Sequence, residues 1–165
     1  MIYNALLLLG LLFATIHYFL RRKDYTKIQV VDLYLVYMLV FTVGIVGSLG
    51  FIAHVFYGDA IAKMIGWLPG SHFQHVVGVH DGAWALLGFL CLYFRDKFWL
   101  ATGLGWSFFL IGANYVHIKE MVLSNNYAPY NSDIIFYTIL TPLILLILLY
   151  LKFVALRKES LGAGK

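Results

Sequence analysis

The sequence is poor in charge, in cysteine and in proline. Only 12% of its 165 residues are charged, whereas 62% are hydrophobic, and the mean hydropathy is +0.82. This apolar share is far above that of soluble domains, so the composition argues against a water-soluble fold and predicts a bilayer environment. The single cysteine, Cys91, cannot form an internal disulfide, and its place in an apolar run indicates a buried structural residue.

No proline-rich or serine-rich linker, low-complexity run or internal repeat divides the chain. Its length therefore predicts a single integral membrane domain over residues 1–165. The net charge of +4 does not indicate a nucleic-acid partner, because nearly all basic residues flank apolar runs. The expected partners are the lipid bilayer and either other membrane subunits or further copies of this chain.

Five apolar segments reach the length of roughly 20 residues that a membrane-spanning helix needs. They cover about residues 2–20, 30–57, 74–94, 98–121 and 134–153. Strands are not expected, because an open sheet edge cannot lie in lipid. The predicted fold is an all-α, five-helix transmembrane bundle. In the long second segment, Gly44, Gly47 and Gly50 indicate a bend or a close helix contact.

The distribution of lysine and arginine predicts the orientation of this bundle. In the five-helix plan, one side carries Arg21, Arg22, Lys23, Lys27, Arg95, Lys97, Lys152, Arg157, Lys158 and Lys165. The opposite side carries only Lys63 and Lys119. The positive-inside rule therefore places the N-terminus outside and the C-terminus in the cytoplasm of a multi-pass cell-membrane protein. The first segment lacks a preceding basic region and a small-residue cleavage site, so we expect a retained anchor.

Polar side chains interrupt the third and fourth predicted spans near their outer ends. The third span has His75, His80 and Asp81, and the fourth has Asn114, His117 and Glu120. An antiparallel hairpin of these spans, with a rise of about 1.5 Å per residue, brings both sets to a similar depth. Ionisable groups inside hydrocarbon are costly and by default mark a functional site. We therefore predict a polar pocket that faces the outer side.

Small residues are expected to let these two spans approach closely. Gly78 and Gly82 lie one helical turn apart on the third span, and Gly105 and Gly112 lie along the fourth. Such faces allow two helix backbones to touch, which would bring the polar side chains of the two spans together.

The outer loops carry two further signals. Residues 58–73 include apolar side chains and Trp67, which predicts an amphipathic segment at the interface that covers the pocket. Ser132 and Asp133 stand where the N-cap of the fifth span belongs, and capping is their predicted role.

Several kinds of site could use the polar side chains. His80, Asp81, His117 and Glu120 could hold a transition metal, although no di-iron or zinc-protease motif is present. Haem b could bridge His80 or His54 to His117, but nothing in the sequence requires it. A proton relay or a quinone-head site could use the His and carboxylate pairs. The remaining interpretation is a polar network that fixes helix register without chemistry.

The sequence also resembles a known family. The residues that carry the resemblance are Gly78, Val79, His80, Asp81, Gly82, Ala83, Leu86, Leu87, Gly88, Ile111, Gly112, Ala113, His117, Ile118, Ser132, Asp133 and Ile134. Over roughly the last three helices, this pattern is similar to an uncharacterised family of small integral membrane proteins catalogued only as a domain of unknown function. The resemblance implies a helical membrane fold and brings no activity.

Some positions match the family pattern and others depart from it. The family histidine corresponds to His117, and its Ser-Asp pair corresponds to Ser132 and Asp133. Val76 stands where the family has a glutamate, and Asp81 stands where it often has an asparagine. The remaining departures are His80, Asn114 and Glu120. A metal role built on these departures would belong to this protein or to a subgroup.

We expect a small integral membrane subunit or accessory protein whose pocket binds a metal, a cofactor or a quinone head within a larger membrane complex. Short loops leave no soluble catalytic domain, and few helices are available for an alternating-access path. The alternatives are a free-standing membrane enzyme or transporter that handles protons or metal in the same pocket, and a purely structural polar network. The sequence names no cofactor and leaves open whether the chain is an enzyme.

Overall fold

The computed structural model of the chain describes residues 2–162. Within that range it contains helices and loops and no β-strand, which confirms the all-α prediction. Three of these helices are long and apolar enough to cross a membrane, namely Ile2–Arg21, Lys27–Phe56 and Pro129–Arg157. The helices Phe73–Leu90 and Lys97–Leu123 are not among them, because the polar residues of the candidate site lower their hydropathy. The count of five spans stays a prediction.

In chain order the elements are α1 (Ile2–Arg21), a short 3-10 turn (Arg22–Asp24), α2 (Lys27–Met38), a π-helical segment (Leu39–Ile45), α3 (Val46–Phe56), α4 (Gly58–Ile65), α5 (Phe73–Leu90), α6 (Lys97–Leu123), α7 (Pro129–Ser132) and α8 (Ile134–Gly162). The second long helix, Lys27–Phe56, is continuous through the π-helical segment. It begins after Thr26, where the Thr26 hydroxyl accepts from the Gln29 amide and the Gln29 side chain accepts from the Thr26 amide.

The helix α4 occupies the stretch in which the sequence predicts an amphipathic segment. It ends at Gly66, which adopts a φ of 85° in the left-handed region that glycine enters without strain. The Asn126 amide group donates to the Ile65 carbonyl at 2.9 Å. This bond ties the end of α4 to the loop that follows α6.

The long helices pair differently from the predicted hairpin. α5 packs along α3 and the π-helical segment, α6 packs along α8, and α5 and α6 make few contacts with each other. The predicted role of Gly78 and Gly82 in bringing α5 against α6 is wrong, because both glycines face α3. A Cβ on Gly78 would lie 2.9 Å from the Val55 amide nitrogen, and one on Gly82 would lie 2.8 Å from the Phe51 ring. The glycines Gly47 and Gly50 of α3 let α5 approach closely.

The core lies where α1, α2, the π-helical segment, α6 and α8 meet. Its buried side chains are Leu7, Leu35, Met38, Leu39, Val43, Val46, Cys91, Trp99, Trp106, Leu110, Tyr137, Leu145 and Leu149. Cys91 is fully buried, as its apolar surroundings in the sequence predict. The Tyr137 hydroxyl donates to the Thr42 carbonyl, which belongs to the π-helical segment. A π-helical turn changes the register of backbone hydrogen bonds, and here one of its carbonyls bonds to α8.

A buried lysine connects three parts of the chain at one end of the bundle. The Lys152 ammonium lies 2.7 Å from the Asp32 carboxylate and 3.1 Å from the Asp96 carboxylate. It also lies over the Trp99 ring, 4.7 Å from the ring centroid. The beginning of α2, the turn between α5 and α6 and the later part of α8 therefore meet at the same end of the molecule.

Replacing Asp32 by asparagine is expected to lower the free energy of unfolding by about 1 to 3 kcal/mol. The buried Lys152 would then keep only Asp96, whose side chain is 72% exposed and hydrated. Thermal or denaturant unfolding in a mild detergent measures the effect. Asp133→Asn is the matched control, because Asp133 is exposed, and its effect should stay below about 0.5 kcal/mol. Equal losses in the two variants would contradict a special role for the lysine cluster.

Candidate functional site

A cavity of about 860 Å³ lies between α3, α5, α6 and α8. Tyr3 of α1 contributes to its wall, and α4 and Trp67 border one end. Most of the wall is aliphatic or aromatic. The polar side chains that line it are His54, Gln74, His80, Asp81, His117 and Thr138. Four tyrosines also line it, namely Tyr3, Tyr57, Tyr130 and Tyr137. A large apolar cavity with a few convergent polar groups is the usual form of a small-molecule binding site.

His80 and Asp81 are neighbours in the chain, and both side chains line the cavity. The His80 Nδ1 atom and the Asp81 Oδ1 atom are 3.6 Å apart, which is too far for a hydrogen bond. Both atoms are enclosed by the surrounding helices, and neither has a hydrogen-bond partner among the described residues. The exposed parts of the two side chains are therefore other atoms, and these are the parts that a bound molecule can reach.

The surroundings of Asp81 hold its carboxylate in place. Asp81 is only 8% exposed, and a Cβ on Gly50 would collide with its Oδ2 atom and lie 3.0 Å from its Cγ atom. A Cβ on Gly47 would lie 2.8 Å from the Asp81 carbonyl oxygen. The predicted close contact at the glycines of the second long helix is therefore confirmed, and it is a contact with α5.

His80 has a defined hydrogen bond through its other ring nitrogen. The Trp84 indole N–H donates to the His80 Nε2 atom at 2.9 Å. The Phe109 ring lies 4.4 Å from the His80 ring, measured between centroids. Trp84 follows His80 by one helical turn, so the pair was visible in the sequence as an i, i+4 spacing.

His117 lines the same cavity from α6. Asn131 uses its amide group to donate to the Asn126 carbonyl at 2.8 Å and to the His117 carbonyl at 3.3 Å. Its side-chain oxygen therefore accepts from the His117 Nδ1 atom, at 2.8 Å. The His117 ring also stacks on the Trp67 ring at a centroid distance of 6.2 Å and an angle of 6°. These contacts connect α6 to both loops at that end of the cavity.

His54 and Gln74 form a further polar pair on the wall. The His54 Nδ1 atom lies 2.6 Å from the Gln74 Oε1 atom, and Gln74 is 4% exposed. His54, named in the sequence analysis as a possible haem ligand, lines the same cavity as His80, Asp81 and His117. Gln74 gave no sequence signal beyond its polarity in the first turn of α5.

The other predicted pocket residues lie outside the cavity lining. His75 is exposed and lines a separate shallow pocket of about 390 Å³ together with Asp59 and His72. Glu120 is half-buried near the end of α6 and does not line the cavity. Asn114 does not line the cavity, but it bonds to a residue that does. Its side-chain oxygen accepts from the hydroxyl of Thr138, which lines the cavity, at 3.0 Å.

The metal set named from the sequence is not gathered into one coordination site. In residues 2–162 no group of three or more His, Cys, Asp or Glu side chains lies close enough to hold a metal ion. His80 and Asp81 line the cavity from α5 and His117 lines it from α6, whereas Glu120 lies off the lining. The divergence of α5 from α6 explains the separation. Metal and haem binding stay predictions without a geometric counterpart in the fold.

Two of the predicted packing glycines border the cavity. A Cβ on Gly105 would collide with the tip of the Trp84 indole and lie 3.1 Å from its Cζ2 atom. Gly105 thus makes room for the Trp84 ring of α5, which supplies the three atoms nearest to the Gly105 Cβ position. Gly112 lines the cavity, and no heavy atom lies within 4 Å of its Cβ position. The two helices therefore meet at Gly105, whereas nothing lies within 4 Å of the Gly112 Cβ position.

The predicted capping pair lies at the junction of α7 and α8. Ser132 is inside α7, and its hydroxyl donates to the Ala128 carbonyl at 3.2 Å. Asp133 directly precedes α8, but its backbone is helical, with φ −70° and ψ −24°, whereas an N-cap residue has a non-helical backbone. Capping of α8 by this pair stays a prediction.

The fold and the cavity define a helical protein with several helices able to span a membrane and an apolar cavity that holds a few polar groups. The model described as "Family of unknown function (DUF6790)" matches residues 1–157, and the chain belongs to this family. The sequence resemblance predicts an uncharacterised family, and this match agrees with that prediction. The match covers residues 1–157 and is not limited to the last three helices. No curated protein and no solved structure matches the chain.

Proposed function

We propose that this chain is a multi-pass membrane protein that binds an amphipathic molecule in the cavity between α3, α5, α6 and α8. The polar head of that molecule lies among His80, Asp81 and the other polar side chains of the wall, and its apolar body lies along the aromatic wall. A quinone is one kind of molecule with this form. The observation that carries the proposal is an apolar cavity of about 860 Å³ whose lining includes a few polar side chains, among them His80, Asp81 and His117.

The access route favours a molecule that comes from the bilayer. Phe108 and Val116 line the cavity, yet their side chains are 82% and 42% exposed on the outside of the bundle. The cavity therefore reaches the apolar surface of the protein beside α6. An amphipathic molecule dissolved in lipid could enter there without crossing water.

The proposed topology has five spans, with the N-terminus outside and the cavity toward the outer side. Arg21, Arg22 and Lys23 are exposed at the end of α1, near the side on which α2 begins. The Lys152 cluster joins α2, the α5–α6 turn and α8 at one end, which supports a common side for these connections. Lys165 lies outside the described residues, as does the side chain of Lys158.

We propose that the protein acts as a subunit or accessory protein within a larger membrane complex. The helices and short loops of residues 2–162 form no separate soluble domain that could house catalysis. Extraction in a mild detergent and migration on a native gel test this part. Migration with a large assembly agrees with the subunit role, and migration as a lone chain or as a homodimer contradicts it.

Filling the cavity tests ligand binding directly. Gly112→Phe adds a ring where the wall is open, and we expect it to weaken binding of decylubiquinone by more than about tenfold. Three of the four tryptophans, Trp67, Trp84 and Trp106, line the cavity, so quenching of intrinsic fluorescence in lipid nanodiscs reports occupancy. Titration with the quinone gives the dissociation constant for each variant.

Ala101→Phe provides the matched control. Ala101 is exposed on the same helix and does not line the cavity, so this variant should bind the quinone as the unaltered protein does. If Gly112→Phe also binds normally, the cavity is not the binding site and the proposal fails. If the unaltered protein shows no saturable quenching above empty nanodiscs, the cavity does not bind a quinone.

A further inference from the structure

The charge on the cavity wall is one-sided. Of the side chains that line the cavity in the described part of the chain, Asp81 is the only carboxylic acid, and none is a lysine or an arginine. Lys152 is buried but does not line the cavity, and Asp32 and Asp96 already engage its ammonium group. An anionic head group would therefore meet a carboxylate and no opposite charge.

His80 does not supply the missing positive charge. An indole N–H can only donate, so the His80 Nε2 atom that accepts from Trp84 carries no proton. A histidine with one unprotonated ring nitrogen is neutral. In addition, its Nδ1 atom lies 3.6 Å from the Asp81 Oδ1 atom and does not form a hydrogen bond with it. The Asp81 carboxylate thus has no charged partner in the surrounding wall.

Aromatic rings line the same cavity as this carboxylate. The Trp84 and Trp106 rings lie 5.9 Å apart between centroids, and the Trp106 and Phe109 rings lie 5.2 Å apart. All three line the cavity, as do Tyr3 and Tyr137. Aromatic faces attract cations through their quadrupole, and the attraction grows when water is excluded. A buried carboxylate and an aromatic wall are together the environment that organic cations prefer.

We infer that the molecule bound in this cavity is an organic cation with apolar substituents, such as a protonated or quaternary amine with hydrocarbon groups. The positive centre lies beside Asp81, and the apolar groups lie along Trp84, Trp106 and Phe109. This inference rests on the proposed function, because it names the class of molecule that the same cavity takes. It also supplies an opposite charge to the Asp81 carboxylate, because no lysine or arginine lines the cavity in the described part of the chain.

Two probes of the same shape and opposite charge test the inference without any variant. Tetraphenylphosphonium and tetraphenylborate each carry four phenyl groups around one charged centre. Equilibrium dialysis against nanodiscs with and without the protein should show protein-dependent binding of the phosphonium that exceeds that of the borate by more than about tenfold. Equal binding of the two ions, or tighter binding of the borate, overturns the inference.

A matched pair of variants locates the charge effect. Asp81→Asn keeps the size of the side chain and removes its charge, so phosphonium binding should fall by more than about tenfold. Asp133→Asn removes an exposed carboxylate that does not line the cavity and should leave binding unchanged. Loss of phosphonium binding in both variants, or in neither, contradicts a direct role for Asp81. Size-exclusion elution and the melting temperature confirm that each variant is folded.

The neutral quinone separates failure of this inference from failure of the proposed function. If Gly112→Phe still weakens decylubiquinone binding while the phosphonium shows no preference over the borate, the cavity binds ligands and only the cationic class is wrong. If Gly112→Phe weakens binding of neither the quinone nor the phosphonium, the cavity itself is not a binding site.

Discussion

Replacing Gly88 by alanine should lower the free energy of unfolding by about 1 to 3 kcal/mol. Gly88 of α5 lies against the π-helical segment, where an added Cβ would collide with the Gly44 amide nitrogen and lie 2.7 Å from the Gly44 Cα atom. It would also lie 2.9 Å from the Val43 carbonyl carbon. These are backbone atoms that cannot rotate away, so α5 must move as a whole. Because Asp81 lies two helical turns earlier on α5, its carboxylate would move with it.

Gly112→Ala is the matched control for this variant. Both changes add one methyl group to a glycine inside a long helix, but no heavy atom lies within 4 Å of the Gly112 Cβ position. We expect Gly112→Ala to change the free energy of unfolding by less than about 0.5 kcal/mol or to raise it slightly through helix propensity. Thermal unfolding in a mild detergent compares the two. Equal stability of both variants would contradict the backbone contact between α5 and the π-helical segment.

Replacing Asn131 by alanine is the second change with a large expected effect. Asn131 is fully buried, and its side chain bonds to the His117 ring, the His117 carbonyl and the Asn126 carbonyl. Its loss leaves these groups without their partner, which should cost about 2 to 3 kcal/mol of unfolding free energy. The His117 ring would also lose its fixed orientation against Trp67. A change in tryptophan emission is therefore expected together with the lower stability.

Asn4→Ala controls for the removal of an asparagine. The Asn4 amide group makes one exposed hydrogen bond, to the Asp133 carbonyl at 3.3 Å. We expect that variant to lose less than about 1 kcal/mol and to keep the emission spectrum of the unaltered protein. Chemical unfolding followed by circular dichroism gives the free energies. An Asn131→Ala protein with unaltered stability and emission would show that the Asn131 bonds do not hold this end of the cavity together.

Much of the helical framework is predictable from the sequence because helix length, apolarity and helix breaks are local properties. The predicted segment at residues 2–20 corresponds to Ile2–Arg21, and the segment at 98–121 corresponds to Lys97–Leu123. The third segment was predicted to reach residue 94, whereas α5 ends at Leu90 and a turn follows. The capping box at Thr26 and the left-handed Gly66 set two further boundaries through short-range hydrogen bonds and backbone geometry.

Some residues of the candidate site are also predictable from local sequence properties, whereas others depend on the tertiary structure. His80, Asp81 and His117 were recognisable as costly polar groups inside apolar segments, and these three line the cavity. Asn131 was not recognisable, because a polar residue in a loop is ordinary, and only the fold turns its side chain toward His117. Glu120 fitted the helical spacing on α6, but the cavity ends before it. Spacing along one helix fixes which side chains share a face and not what that face meets.

The sequence by itself determined an all-helical chain, rich in apolar residues, with ionisable groups at defined places in its third and fourth long helices. Only the tertiary structure decided that α5 pairs with α3, that α6 pairs with α8, and that a cavity separates Asp81 from His117. The physical reason is that helix formation depends on neighbours in the chain. Helix pairing depends on how two surfaces distant in the chain fit, and here Gly44, Gly47 and Gly50 are in close contact with α5.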